Sequence, residues 1–169
     1  MSNIWHTKEK ISVKEVGHNF FQFVFSSQED KDRVRSGKTW SFDNQYLILR
    51  DWSENLEENS DSFNFVELWV QLLNVPFHWL SIATGRKIGN KFLKLTDILI
   101  SESGSSKGRH IKILAEVNLN KPLIRGITIK LGDESCSVDF RYENLQGFCF
   151  YCCKIGHAER GCQQRKDDI

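Results

Sequence analysis

The chain predicts an α+β fold, a mixed sheet carrying two helices, with a small Cys/His-rich appendage at its C-terminus. Three observations predict it. Residues 110–119, 127–131 and 136–142 alternate apolar and polar side chains, the two-residue period of strands with one buried face. Two stretches, 26–37 and 80–92, carry helix signals instead: a capping pair in the first, apolar side chains four residues apart in the second. Four of the five cysteines fall within fourteen residues near the end, with a histidine among them.

Taken in order, residues 11–16 read as a short strand and Gly17-His18-Asn19 as a turn. Residues 20–25, rich in phenylalanine, read as a second, buried strand. Ser26 with Glu29 three residues on opens a helix that runs through Val34 and stops at Gly37, a left-handed C-terminal glycine. Residues 46–49 form a third strand, so the first segment is β-β-α-β. Residues 54–62 are acidic and polar, a linker or long loop. Residues 65–75 make a strong strand that Pro76 ends. Residues 80–92 form the second helix, with Leu80, Thr84, Ile88 and Phe92 on one face; Gly85 and Gly89 allow close packing on a sheet. Residues 95–100 are a further strand, and 101–108 a flexible loop by composition. Then Ile111, Ile113, Ala115, Val117 and Leu119 share one face of a strand, opposite His110, Lys112, Glu116 and Asn118. A hairpin turning at Gly132-Asp133-Glu134 closes the sheet. The predicted units are an α+β domain over 1–145, the appendage over 146–163 and a tail over 164–169.

Composition narrows the function. With 169 residues, 40% apolar and 12% aromatic, the chain can build a core and one appendage. No run of eighteen apolar residues occurs, which predicts no membrane span. The charged first twenty residues lack a signal-peptide core, so a nuclear or cytoplasmic location is expected. An odd number of cysteines, clustered, argues for metal binding over a disulfide framework. Net charge is +1, but unevenly spread: residues 1–62 hold 8 Lys/Arg against 11 Asp/Glu, and residues 86–130 hold 10 against 3. The basic middle includes Arg86, Lys87, Lys91, Lys94, Lys107, Arg109, Lys112, Lys121 and Arg125, candidates for phosphate contacts. The competing reading is that they solvate the surface.

The appendage carries the chemistry. Cys149, Cys152, His157 and Cys162 are spaced C-x2-C-x4-H-x4-C, which lets one loop set three thiolates and an imidazole around one tetrahedral ion. That sulfur-rich set selects one Zn2+ ion, and the tight spacing is that of zinc knuckles, which mostly handle single-stranded nucleic acid. Gly156 suits the fold-back before His157. Cys153 stands where knuckles mostly carry glycine, and it either competes with Cys152 or stays a free thiol; the C-x2-C turn favours Cys152. Phe150 and Tyr151 lie on the rim between the first two ligands. Either can stack on a base or pack back on the domain, and Phe150 is the better stacking candidate. Lys154, Arg160, Arg165 and Lys166 offset the negative metal complex and are candidate phosphate contacts.

Beyond the motif, Leu68-Trp69-Val70-Gln71-Leu72, Val75-Pro76, Thr84-Gly85-Arg86-Lys87-Ile88-Gly89, Lys121-Pro122-Leu123-Ile124-Arg125-Gly126, Asp139-Phe140-Arg141-Tyr142-Glu143-Asn144-Leu145 and Gly147-Phe148-Cys149 resemble a known family. It is the large plant family that joins a domain of unknown function to a C-terminal CCHC knuckle, found in or descended from non-LTR retrotransposons. The resemblance implies zinc and nucleic-acid binding without catalysis, and only the four ligands carry over by position. It also implies a further strand and helix ahead of the Trp5 position, so the chain is expected to be an N-terminally truncated RRM/ferredoxin-like or related fold. Anchoring the register at Phe25-Ser26-Ser27 sends Phe21, Phe23 and Phe25 under the helix and leaves Gln22 on the open face. The usual stacking platform of an RNA-reading sheet is then lacking.

The expected partner is therefore single-stranded RNA or DNA. The alternative is a zinc-stabilised protein-interaction adaptor, with possible self-association. No membrane or small-molecule substrate is expected. Nor is catalysis: His6, His18, His78 and His110 are scattered, Cys136 sits in a strand pattern, and four protein ligands leave zinc no open position.

Overall fold

The computed structural model describes residues 5–37, 39–57, 60–102 and 109–168. The predicted loop at 101–108, with Lys107, lies largely outside the described residues, as do two positions of the 54–62 linker. Every described strand pairing is antiparallel, where a mixed sheet was expected.

The described residues open with Trp5, followed by a hairpin of β1 (Ile11–Gly17) and β2 (Phe20–Phe25). Helix α1 (Gln28–Ser36) follows, and Ser27 caps it by accepting the Asp30 N–H. The cap sits one residue later than the expected Ser26, and the Asp30 carboxylate is engaged elsewhere. It is buried and accepts the backbone N–H groups of Lys8 and Glu9 and an Arg33 guanidinium N–H, tying the N-terminal segment to the helix. Gly37 does not adopt the expected left-handed conformation: its φ is −67°. Its missing side chain has another use, since a Cβ there would meet the Trp40 ring at 2.5 Å. Trp5 lies against Phe23, Phe25 and Trp40, so Phe23 and Phe25 face inward as predicted, and Val24 is exposed.

The predicted third strand belongs to a second hairpin, β3 (Trp40–Phe42) with β4 (Gln45–Leu47). Asp43 and Asn44 form its two-residue turn, both at positive φ, as a type I′ turn requires.

The larger unit is a five-stranded sheet in the order β6-β7-β5-β9-β8, made of β5 (Phe65–Leu73), β6 (Lys94–Glu102), β7 (Arg109–Asn118), β8 (Gly126–Leu131) and β9 (Glu134–Tyr142). The predicted alternation holds. Val66, Leu68, Val70 and Leu72 face Val117, Ala115, Ile113 and Ile111 across β5–β7, and all are buried. Helix α2 (Ile82–Gly89), capped by Ser81, covers this inner face. It is shorter than the expected 80–92, starting after the Ser81 cap and ending at the Asn90 cap; a 3-10 turn, Phe77–Trp79, precedes it. A Cβ at Gly85 would sit 2.8 Å from Ile98, so glycine there sets how closely the helix approaches the sheet. Cys136 packs beside this core and its thiol donates to the Asn74 carbonyl at 3.1 Å. A short helix, α3 (Gln163–Asp167), occupies the predicted tail. Among the described residues no helix is long and apolar enough to cross a membrane.

Candidate metal centre and nucleic-acid interface

The C-terminal loop folds back through a bridge between Phe148 and Ile155, with the Cys149 N–H donating to the Lys154 carbonyl at 2.9 Å. Inside this ribbon the Cys153 N–H donates to the Cys149 carbonyl at 2.8 Å, closing the turn that carries Cys149 and Cys152. Cys153 has φ +58°, the left-handed bend for which glycine is the usual residue. Gly156 reaches φ +102°, which a residue with a Cβ adopts only with strain. Past it, the His157 N–H bonds the Gly147 carbonyl at 3.0 Å. The 3-10 turn Glu159–Gly161 then delivers Cys162.

These turns converge Cys149, Cys152, His157 and Cys162, whose ligand atoms lie within 4.8 Å of one another. A tetrahedron with bonds of about 2.3 Å has edges of about 3.8 Å, so small side-chain rotations bring the set onto one ion. The Cys152 Sγ to His157 Nε2 separation is already 3.3 Å. All three ligand thiols are buried, and Cys153 falls outside the group, which leaves Cys152 as the ligand. Burial works against a Cys149 thiolate. The backbone N–H groups of Cys152 and Tyr151, with the thiols of Cys152 and Cys162, nonetheless bring its pKa below the ordinary thiol value. Burial pushes the Cys152 thiol up, reinforced by the neighbouring sulfurs. Three thiols and an imidazole crowded together without other counter-groups form a donor set compatible with one zinc ion.

The two rim aromatics differ. Phe150 is 76% exposed and meets the Phe148 ring edge-on at 5.1 Å between ring centres. Tyr151 is 42% exposed, and its hydroxyl donates to Asp168 at 2.6 Å, which raises its pKa. Neither packs back onto the domain core. Arg160 and Lys166 are exposed, Lys154 is half-buried, and Arg165 pairs with Glu159 at 2.9 Å.

The opposite side of the knuckle is docked. Ile155 is only 8% exposed and joins a cluster of Val66, Leu68, Val117 and Leu123, flanked by Tyr46 and Leu145. The Leu123 N–H donates to the Cys153 carbonyl at 2.8 Å. The Tyr46 hydroxyl donates to the Asn144 carbonyl and accepts the Gln146 N–H, holding the approach to Cys149 against the β3–β4 hairpin. None of these docking residues was predicted. The apolar Leu123 inside a basic loop was the one available signal.

The basic residues divide into separate groups. Lys121 and Arg125, both exposed, sit on the β7–β8 loop that Leu123 ties to the knuckle. Arg86 and Lys87 lie on α2 and Lys91 and Lys94 just beyond it, all exposed; Lys87 also donates to the Lys130 carbonyl. Lys112 is on the other face of the sheet, because its neighbour Ile111 points to the core. It pairs with Glu143 at 2.5 Å. Burial alone would raise the Glu143 pKa, but the hydrogen bonds from Lys112 and Gln71 lower it. The basic middle is thus not one stripe, and Lys112 is already neutralised. For Arg109 the described structure gives only its backbone place in β7.

Comparison with known proteins matches residues 1–58 to a domain of unknown function, DUF4283, and residues 117–164 to a zinc knuckle. The chain therefore carries a DUF4283 segment followed by a CCHC zinc knuckle. It is similar to an uncharacterized protein of Arabidopsis thaliana, 22% identical over 129 residues, which covers 75% of this chain and 40% of that protein. The chain thus spans less than half the length of the curated relative it matches. No solved structure matches.

Proposed function

We propose that this chain is a zinc-dependent binder of single-stranded RNA or DNA, derived from a plant non-LTR retroelement and working in the nucleus or cytoplasm. The observation that carries the reading is Phe150, a large aromatic ring left in solvent on the rim of a buried Cys3His cluster. Leaving such a ring exposed forgoes about 1.5–3 kcal/mol of burial, and stacking on an unpaired base recovers about 1–3 kcal/mol. Zinc, when bound, cross-links the loop that presents the ring. Lys121, Arg125, Lys154 and Arg160 lie on or beside that loop and supply phosphate contacts, and Lys166 extends them along the tail. Tyr151 stacks less freely because its hydroxyl is held by Asp168. Four protein ligands leave no open metal position, which favours a structural role over hydrolysis. We read the β1–β2 hairpin with α1 as part of an RRM-related arrangement without its stacking platform, which leaves the base contact to the knuckle.

Anisotropy titration of labelled single-stranded oligonucleotides tests this. Zinc-loaded protein binds, affinity falls between 50 and 200 mM salt, and EDTA abolishes binding; binding unchanged by EDTA contradicts the reading. The exposed Trp52, Phe77 and Leu93 favour a second reading, an adaptor that binds protein. Zinc-dependent self-association without any oligonucleotide shift is its signature.

A further inference from the structure

The β3–β4 hairpin does not lie flat on the five-stranded sheet. Between them is a cleft of about 410 Å³, at the lower end of ligand-pocket sizes and large enough for a single base but not a duplex. Its wall is the stretch of β5 and β7 where Trp69 pairs in register with Leu114, and it also takes in Leu68 from the inner face. Thr39 ties the hairpin to this wall by donating to the Glu67 carbonyl at 2.6 Å.

The lining chemistry is selective. Glu67 and Glu143 are among its lining residues. Each carboxylate is engaged through Oε1, by Thr96 in the first and by Lys112 and Gln71 in the second. Ser41, Asn144 and Gln146 add hydroxyl and amide groups on the rim. Glu143 is neutralised by Lys112, but the Glu67 carboxylate repels phosphate, so the cleft favours a base over a backbone. Carboxylates accept from N–H groups on a base edge. Guanine presents an imino and an amino donor side by side, whereas uracil flanks its one donor with two carbonyl oxygens that would face the carboxylates. The cleft also adjoins the knuckle: Gln146 is four residues from Phe150, at most about 14 Å along the chain.

We propose that the cleft between the β3–β4 hairpin and the β5–β7 wall is a pocket for one unpaired guanine on the strand whose neighbouring base stacks on Phe150. The inference rests on the single-strand reading above and adds a base preference located outside the knuckle.

The test uses the full zinc-loaded chain with two oligonucleotides, all-uridine and the same with one central guanosine, compared for wild type, Glu67→Gln, Gln146→Ala and Phe150→Ala. The expected result is a preference of roughly tenfold for the guanosine strand. Glu67→Gln and Gln146→Ala abolish that preference and leave all-uridine affinity unchanged. Phe150→Ala weakens both strands alike and keeps the preference. A preference that survives both cleft variants, or no preference at all, overturns the pocket and leaves the knuckle reading standing. Failure of both strands to bind overturns both readings.

Discussion

Phe150 and Ile155 stand on the same zinc loop, one before and one after the second cysteine, yet their surroundings are opposite. Ile155 is buried among Val66, Leu68, Val117 and Leu123, while Phe150 keeps three-quarters of its surface in solvent. Apolar character alone therefore does not state a role. The docked side explains how a loop too small for its own core holds an orientation; the open side explains what that orientation presents. A freely tethered knuckle would need neither Ile155 nor the Cys153 carbonyl contact.

The largest expected effect breaks both sides at once. Cys149→Ser, or removal of zinc by EDTA, lets the ligand loop unfold, which releases Ile155 and exposes the end of the sheet core. Oligonucleotide binding is lost, and the thermal midpoint of the whole chain falls; a midpoint insensitive to EDTA means the knuckle is not coupled to the sheet. Ile155→Ala next separates the sides. Emptying this site costs about 2–5 kcal/mol in denaturant unfolding, with zinc stoichiometry measured by native mass spectrometry still one. Phe150→Ala does the reverse: unfolding free energy stays within about 0.5 kcal/mol, and binding weakens by about 1–3 kcal/mol.

Two smaller effects sharpen the picture. Cys153→Gly relieves a left-handed cysteine and stabilises the loop by about 1 kcal/mol, with zinc content unchanged. The Glu143 pKa is lowered in the folded chain. Its contribution to stability is thus present above the ordinary glutamate pKa of about 4.3 and is lost as pH falls through the lowered value. Acid unfolding of Glu143→Gln should accordingly begin from lower stability at neutral pH and show a shallower decline in that acid range.

Much of the five-stranded sheet was legible because its signals are local. Alternation along β5, β7 and β9 needs no knowledge of partners, and the C-x2-C-x4-H-x4-C spacing is a local statement about one loop. What was not legible is non-local. Nothing near Ile155 announces Val66, and nothing near Lys112 announces Glu143, 31 positions away in the numbering. The sequence marks a strand only at residues 46–49 and not its partner Trp40–Phe42, because the turn between them, Asp43-Asn44, lacks the glycine that usually marks a two-residue loop. Gly37 was assigned a helix-ending conformation when its smallness serves the Trp40 ring instead.

The most direct test of the central claim is to follow a single-stranded oligonucleotide titration by anisotropy for wild type, Phe150→Ala and Ile155→Ala, with zinc bound and after chelation. The account predicts tight binding only with zinc, a loss of about tenfold or more for Phe150→Ala, and a much smaller loss for Ile155→Ala at temperatures where it remains folded. Equal binding by wild type and Phe150→Ala, or binding that persists after the metal is stripped, would contradict it.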